Sequence, residues 1–206
     1  MPTLLQIDVS SRGDYSISRK LSAAFAEQWQ AKNPGGTVTR RDLTKTQLTF
    51  VDMDWIGGAY SSPDQHTPEH KQALKLSDEL IGELLAADEI VIGTPMYNFG
   101  VPAALKAWID HIVRIGKTFN RDEQGYHGLV LGKKATFLIA SGGNYAAGAP
   151  AEKYNQETPY LTSLFGFLGV TDTKAVHAGD TTAVMMGQVS MDEYLKPHVE
   201  EVKAAV

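Results

Sequence analysis

Three short apolar runs, Leu4–Val9, Ile90-Val91-Ile92-Gly93 and Thr136–Ala140, are each followed by a polar or glycine-bearing loop and then by an amphipathic stretch. Strand and helix signals alternate in this way from one end of the chain to the other. That pattern demands a parallel sheet, because consecutive parallel strands need a crossover and the crossover is a helix. Apolar runs without alternation mark strands covered on both faces.

The helices are read from their periodicity. Leu21, Phe25 and Trp29 recur every four residues, and the stretch stops at Asn33-Pro34-Gly35-Gly36. Thr37–Arg41 then reads as a second strand. Leu74, Leu80, Ile81, Leu84 and Leu85 predict a helix over 69–87. Further helices are expected over 102–115, where Pro102 sits near the first turn, and over 159–167 and 191–205, with a fifth strand over 173–178. The polar stretch 44–68, carrying Gly57-Gly58, Pro63 and Pro68, is expected to hold little regular structure. With no repeat and no linker, the expectation is a single α/β domain over 1–206, a doubly wound five-stranded parallel sheet with helices on both faces.

Composition removes several classes of function. The chain has no cysteine, so disulfides, thiolate metal sites and thiol redox chemistry are excluded. The net charge of −5 and the lack of any Lys/Arg run argue against nucleic acid. No stretch approaches the ~18 apolar residues of a membrane span, and Met1–Val9 lacks a basic leader, so a cytoplasmic protein is expected. The six histidines show no metal-ligand spacing, and no metal is expected.

In a parallel sheet, ligands lie beyond the carboxyl ends of the strands. Three loops follow from that. The first holds Ser10, Ser11, Ser16 and Ser18 ahead of a helix, where hydroxyls and free N–H groups form an anion site suited to a phosphate monoester; the competing account makes Ser16 a simple N-cap. No G-x-G-x-x-G, G-x-x-x-x-G-K-[ST] or G-x-S-x-G occurs, which removes a Rossmann site, a P-loop and a hydrolase elbow. The second loop, Pro95-Met96-Tyr97-Asn98-Phe99-Gly100, offers aromatic and apolar groups to a flat ring, against the alternative of a turn packed on the core. The third, Ala140-Ser141-Gly142-Gly143, lets backbone N–H groups approach a ligand closely, unless it is only a flexible turn. Together they have the layout of an FMN site.

Pro95–Phe99, Gly116-Lys117-Thr118-Phe119, the G-L-V-x-G-K-K segment over 128–134 and T-P-Y-L…F-x-G over 158–169 carry a resemblance to the FMN-dependent NADH-azoreductase or NADH:quinone oxidoreductase family, within the flavodoxin-like fold. The resemblance implies that Ser10, Ser16, Ile17 and Ser18 bind the FMN phosphate. It implies that Pro95, Met96, Tyr97, Asn98, Phe99, Ala140, Ser141, Gly142 and Gly143 hold the flavin ring. It further implies ping-pong transfer from NADH or NADPH to a quinone or azo compound, and a homodimer with the site at its interface. Phe119, Tyr126 and Tyr145 become candidate walls of the substrate pocket; Phe165 and Phe167 are expected in helix packing. No catalytic residue is expected, since the cofactor carries the chemistry. Many relatives read S-R-G-G where this chain has Ala140-Ser141-Gly142-Gly143, so a side-chain contact at 140 is lost or moves to Ser141. The rival function is a flavodoxin-type electron carrier, disfavoured by the modest charge and by the long segments 44–68 and 116–131.

Overall fold

A computed structural model describes residues 1–206. Five parallel strands form the main sheet: β1 (Thr3–Asp8), β2 (Thr37–Asp42), β3 (Glu89–Pro95), β6 (Lys134–Ala140) and β7 (Asp172–Ala178), in the order β2-β1-β3-β6-β7. Numbered among themselves these strands run 2-1-3-4-5, the flavodoxin-like winding. A separate antiparallel hairpin is made by β4 (Phe119–Asp122) and β5 (Gly125–Gly128).

Alternate side chains of each central strand feed two cores on opposite faces. Leu5, Ile7, Ile90, Ile92, Phe137 and Ile139 pack against α3 (Pro68–Ala86), α4 (Ala103–Ile112) and α5 (Glu157–Leu168). On the other face Leu4, Val91, Leu138 and Val176 meet α1 (Ile17–Lys32) and α7 (Met191–Ala205). The Phe25 and Trp29 of the four-residue repeat lie fully inside this second core. The expected doubly wound sheet, its five strands and the helices on both faces are all present.

The stretch 44–68 differs from expectation. It contains α2 (Met53–Ala59) and a single turn of 3-10 helix at Pro63–Gln65. The Asp52 carboxylate caps α2 by accepting from the Trp55 N–H at 2.8 Å, and Trp55 is buried beside the His111 ring. Gly57 and Gly58, read from sequence as breakers, are helical residues where α2 lies close on α3. A Cβ on Gly58 would stand 2.8 Å from Leu74, and one on Gly57 2.8 Å from the His70 ring. The glycine pair serves close approach rather than a turn.

The hairpin is a second addition to the sequence expectation, and Gly128 explains part of the G-L-V-x-G-K-K pattern. A Cβ there would sit 2.0 Å from the Leu168 carbonyl carbon, so β5 lies directly on the end of α5, and the Val130 N–H donates to Leu168 O at 2.9 Å. Replacing Gly128 by alanine is expected to cost about 1–3 kcal/mol through overpacking, read as a lower urea midpoint with unchanged slope. A stability equal to wild type would show that the contact yields without cost.

Candidate functional site

The carboxyl ends of β1, β3 and β6 open on one edge of the sheet, and the loops that leave them enclose a cleft of about 390 Å³. Its lining is Ser10, Arg12, Ser16, Ile17 and Ser18 from the first loop, Pro95, Met96 and Tyr97 from the second, and Ala140 and Gly142 from the third; Thr181 and Met185 complete it. That volume suits one small organic ligand.

The first loop supplies donors to the cleft, and its one carboxylate, Asp14, is exposed and outside the lining. Ser10, Ser16 and Ser18 are each no more than 2% exposed. The Ser16 hydroxyl caps α1 by accepting from Arg19 N–H at 3.3 Å and lies 3.3 Å from the Ser18 hydroxyl. The N–H groups of Ile17 and Ser18, at the first two helical positions, have no acceptor in the chain, and no acidic residue occupies that turn. The macrodipole of a 16-residue helix is directed at the same spot. Ser16 is therefore an N-cap and part of the donor cluster at once.

Arg19 does not contribute a free cation. Its guanidinium bonds both Asp42 oxygens (2.9 and 2.7 Å), lies 3.8 Å from Asp8, and its Nε donates to Ser10 O at 2.7 Å. Burial pushes the Asp42 carboxyl up, but Arg19 and Thr44 outweigh it and hold the group down at about 2. For Asp8 burial prevails and the carboxyl is raised. This network fixes the backbone of Ser10 relative to α1 and β2. Arg12 is the basic group left over, since it lines the cleft and none of the ion pairs involves it.

The second loop turns back through Asn98 and Phe99, both at positive φ (50° and 71°), between reciprocal hydrogen bonds of Tyr97 and Gly100. Phe99 stands outside the cleft lining and packs against Tyr154 and, edge-on, against Tyr145 at centroid distances of 5.3 and 5.8 Å. Asn98 and Phe99 thus shape the rim rather than the wall. In the third loop the Ser141 hydroxyl donates to Gly143 O at 2.8 Å, so it braces the glycine pair and faces away from the task that a side chain at 140 would have had; Ala140 presents only a methyl group.

Phe119 and Tyr126 lie elsewhere. They form a cluster with Phe167 (5.0 and 5.9 Å between centroids) on the hairpin, with Arg121 stacked over Tyr126, and neither lines the cleft of its own chain. Phe165, by contrast, is buried in the α5 core as expected.

A larger groove of about 560 Å³ runs between residues 45–55 and α3. Its Arg41 is paired with Glu79 and Glu83, and its helix end carries Asp52, an acid where an anion would need donors. It lacks the chemistry of the smaller cleft.

Residues 2–203 match the family model described as flavodoxin-like fold. The chain belongs to the flavodoxin-like fold family. It is similar to a protein of Trichormus variabilis named FMN-dependent NADH:quinone oxidoreductase 2, with 47% identity over 100% of this chain and 99% of that one. Among solved structures it resembles an azoreductase from Bacillus anthracis, with 30% identity, TM-score 0.88, and coverage of 100% and 98%. It also resembles an FMN-dependent NADH-azoreductase of the same organism in complex with FMN, with 25% identity, TM-score 0.86, and coverage of 100% and 97%.

Within this flavodoxin-like frame, Arg12, Thr181 and Met185 are cleft residues that the sequence did not single out. Arg12 had a signal, a basic residue inside a serine loop. Thr181 and Met185 had none, because they sit on α6 (Thr182–Met185) and its approach, a segment without periodicity. Backbone pairing brings them in: Thr181 N–H donates to Ser141 O at 3.1 Å, and the Thr182 hydroxyl to Gly142 O at 2.8 Å.

The Asp42–Arg19 pair predicts an acid-side stability change. Asp42 is depressed in the fold, so its contribution is present above the unfolded value near 4 and is lost as pH falls through about 2. The stability gap between wild type and Asp42→Asn in urea melts should therefore be full near neutrality and close between about pH 4 and 2. A gap independent of pH would contradict the pairing.

Proposed function

We propose that this chain is an FMN-dependent oxidoreductase that passes electrons from NADH to quinones and aromatic azo compounds, with FMN in the cleft at the carboxyl edge of β1, β3 and β6. The observation that carries this reading is the donor set of the first loop: three buried hydroxyls and two unpartnered N–H groups at a helix N-terminus, free of carboxylates. Such a set suits a phosphate monoester dianion and repels nothing in it. The remaining walls, Pro95, Met96, Tyr97, Ala140 and Gly142, offer apolar surface and close backbone to a planar ring.

When bound, FMN supplies the chemistry itself, accepting hydride from the nicotinamide and giving electrons to the acceptor. The chain does the rest. Ser10, Ser16, Ile17 and Ser18 anchor the phosphate. Pro95, Met96, Tyr97, Ala140 and Gly142 hold the ring, Asn98, Phe99, Ser141 and Gly143 shape the two loops that carry them, and Phe99, Tyr145 and Tyr154 form an aromatic rim. No carboxylate or histidine lines the cleft, and protons for the reduced acceptor are taken to come from solvent. NADH is the proposed donor rather than NADPH. The relative named an NADH:quinone oxidoreductase supports that choice; Arg114 and Lys117 are engaged by Asp78, and Arg12, unpaired at the cleft, is taken to face the FMN phosphate.

The same reading takes the active unit to be a cytoplasmic homodimer. Phe50, Met53 and Tyr60 are exposed together on one stretch, a patch of the kind that subunit contacts cover. A neighbouring subunit would also give the Phe119–Tyr126–Phe167 cluster a cleft to reach, which its own chain does not. No helix is long and apolar enough to cross a membrane. The relatives named as oxidoreductases favour an enzyme over an electron carrier.

The test begins with flavin absorption. Purified protein, or apoprotein supplied with FMN, should show oxidised-flavin bands that bleach with NADH in the absence of oxygen and return with a benzoquinone. Bands that NADH leaves unchanged would restore the carrier reading. Ser18→Ala should weaken FMN binding roughly tenfold or more, as a hydrogen bond to a charged group contributes ~1.5 kcal/mol or above. Between acceptors, kcat/KM should be higher for the quinone than for an azo dye.

A further inference from the structure

Three successive carbonyls of the third loop are each held by a bond within the chain. Ser141 O accepts from the Thr181 N–H at 3.1 Å, Gly142 O from the Thr182 hydroxyl at 2.8 Å, and Gly143 O from the Ser141 hydroxyl at 2.8 Å. In a planar trans peptide the N–H points opposite to the C=O. Fixing the carbonyls of 141 and 142 therefore fixes the directions of the Gly142 and Gly143 N–H groups. Neither N–H has an acceptor in the chain. Gly142 is exposed and lines the cleft, with Gly143 half-buried beside it. The loop thus offers two adjacent donors without partners at the wall assigned to the flavin ring.

Only one of the bonds that set this arrangement comes from a side chain outside the loop. Thr182 is the first residue of α6, a helix of four residues without a side-chain cap. Its hydroxyl makes no bond within that helix and reaches across 40 positions to Gly142 O. Glycine at 142 permits the approach, since a Cβ there would stand 3.2 Å from the Thr182 hydroxyl oxygen. The segment that carries Thr182 is itself fixed. The Tyr194 hydroxyl on α7 donates to Gly179 O, and Asp180 turns the chain at a φ of 58°. Gly179 packs on the third loop so closely that a Cβ would lie 3.0 Å from the Asn144 Cα. Thr182 acts on the loop from a rigid support.

We propose that Thr182 is a positioning residue for the flavin ring: its hydroxyl sets the Gly142–Gly143 peptide so that the Gly143 N–H joins that of Gly142 as a donor to the cofactor, favouring its reduced form. This rests on the reading of the cleft as an FMN site.

Hydride transfer brings two electrons and one proton to a neutral ring and leaves negative charge on it. Donors fixed in advance favour that charge over the neutral ring, because hydrogen bonds to ionised acceptors are roughly twice as strong as neutral ones. Loss of the Thr182 bond therefore weakens the hold on the reduced cofactor more than on the oxidised one. Arg12, the one cation in the lining, is common to all the variants below, so differences among them report the third loop.

Thr182→Val replaces the hydroxyl by a methyl group in a side chain of the same shape, Thr182→Ala deletes it outright, and Thr182→Ser keeps it. The two-electron midpoint potential of each FMN-loaded protein is measured against a reference dye. In Thr182→Val and Thr182→Ala it should fall by roughly 15–30 mV, a three- to tenfold loss of affinity for reduced relative to oxidised cofactor. Thr182→Ser should keep the wild-type potential. Oxidised FMN, titrated into the apoproteins and followed by fluorescence quenching, should bind wild type and variants within about threefold of one another. The apoprotein supplies a reading without cofactor. The amide nitrogen shift of Gly143, which responds to the bond on the preceding carbonyl, should move in Thr182→Val and Thr182→Ala and stay in Thr182→Ser. FMN bound with an unaltered potential in Thr182→Val and Thr182→Ala would overturn the proposal alone, as would a Thr182→Ser potential that falls with theirs. A Gly143 shift alike in all the apoproteins would also overturn it. No FMN binding by wild type would sink the flavin reading and the proposal with it, even where the Gly143 shift moves as expected.

Discussion

Parallel pairing of β1 with β3 and of β3 with β6 is the constraint from which the site follows. Ile7 lies beside Ile92, and Gly93 beside Leu138, in registers that end the three strands at nearly one level. The loops at 10–18, 95–100 and 140–143 therefore meet at a single edge. Both faces of these strands are covered, so the edge is where polar groups can reach a ligand without crossing the core. α1 then begins at that edge and points its N-terminus into it. Everything else at the site adjusts this basic geometry: Arg19 fixes Ser10, Ser141 braces the third loop, and α5 grips the second.

The electrostatics are local. A chain of net charge −5 builds its proposed anion site from dipoles, hydroxyls and N–H groups, with Arg12 the one guanidinium in the lining, while Arg19 is held by Asp42. Such a site attracts phosphate without making the surface basic, which fits the absence of any nucleic-acid signature. It also leaves the cleft walls apolar where a ring and flat substrates would stack. The lining of the cleft contains no carboxylate or histidine.

The repeating elements were legible because periodicity and burial coincide in them. Leu21, Phe25 and Trp29 announce α1, and 191–205 appears as a helix with the bounds expected. The serine loop and Pro95–Tyr97 could be recognised from residue type and from their place after apolar strands. What stayed hidden arose from tertiary contact. Gly57-Gly58 has the signature of a loop, and only the nearness of Leu74 and His70 explains glycine inside a helix. Thr181 enters the cleft through a backbone bond to Ser141, and Met185 follows through its bond to Thr181, which no side-chain pattern encodes. Glu157 stands just before the T-P-Y-L motif, outside the helix expected over 159–167; it is buried and its carboxyl accepts from Thr94, 63 positions earlier. Phe119 and Tyr126 were chosen for their aromatic character, and their cluster on the hairpin lies outside the cleft lining of the same chain.

A crystal structure of the protein with FMN is the most direct test of the central claim. The account predicts phosphate density within hydrogen-bonding distance of the Ser10, Ser16 and Ser18 hydroxyls and the Ile17 and Ser18 N–H groups, with the ring between Pro95–Phe99 and Ala140–Gly143. FMN in the larger groove beside α3, or a phosphate held by Arg41 or Lys45 instead of the serine loop, would contradict it.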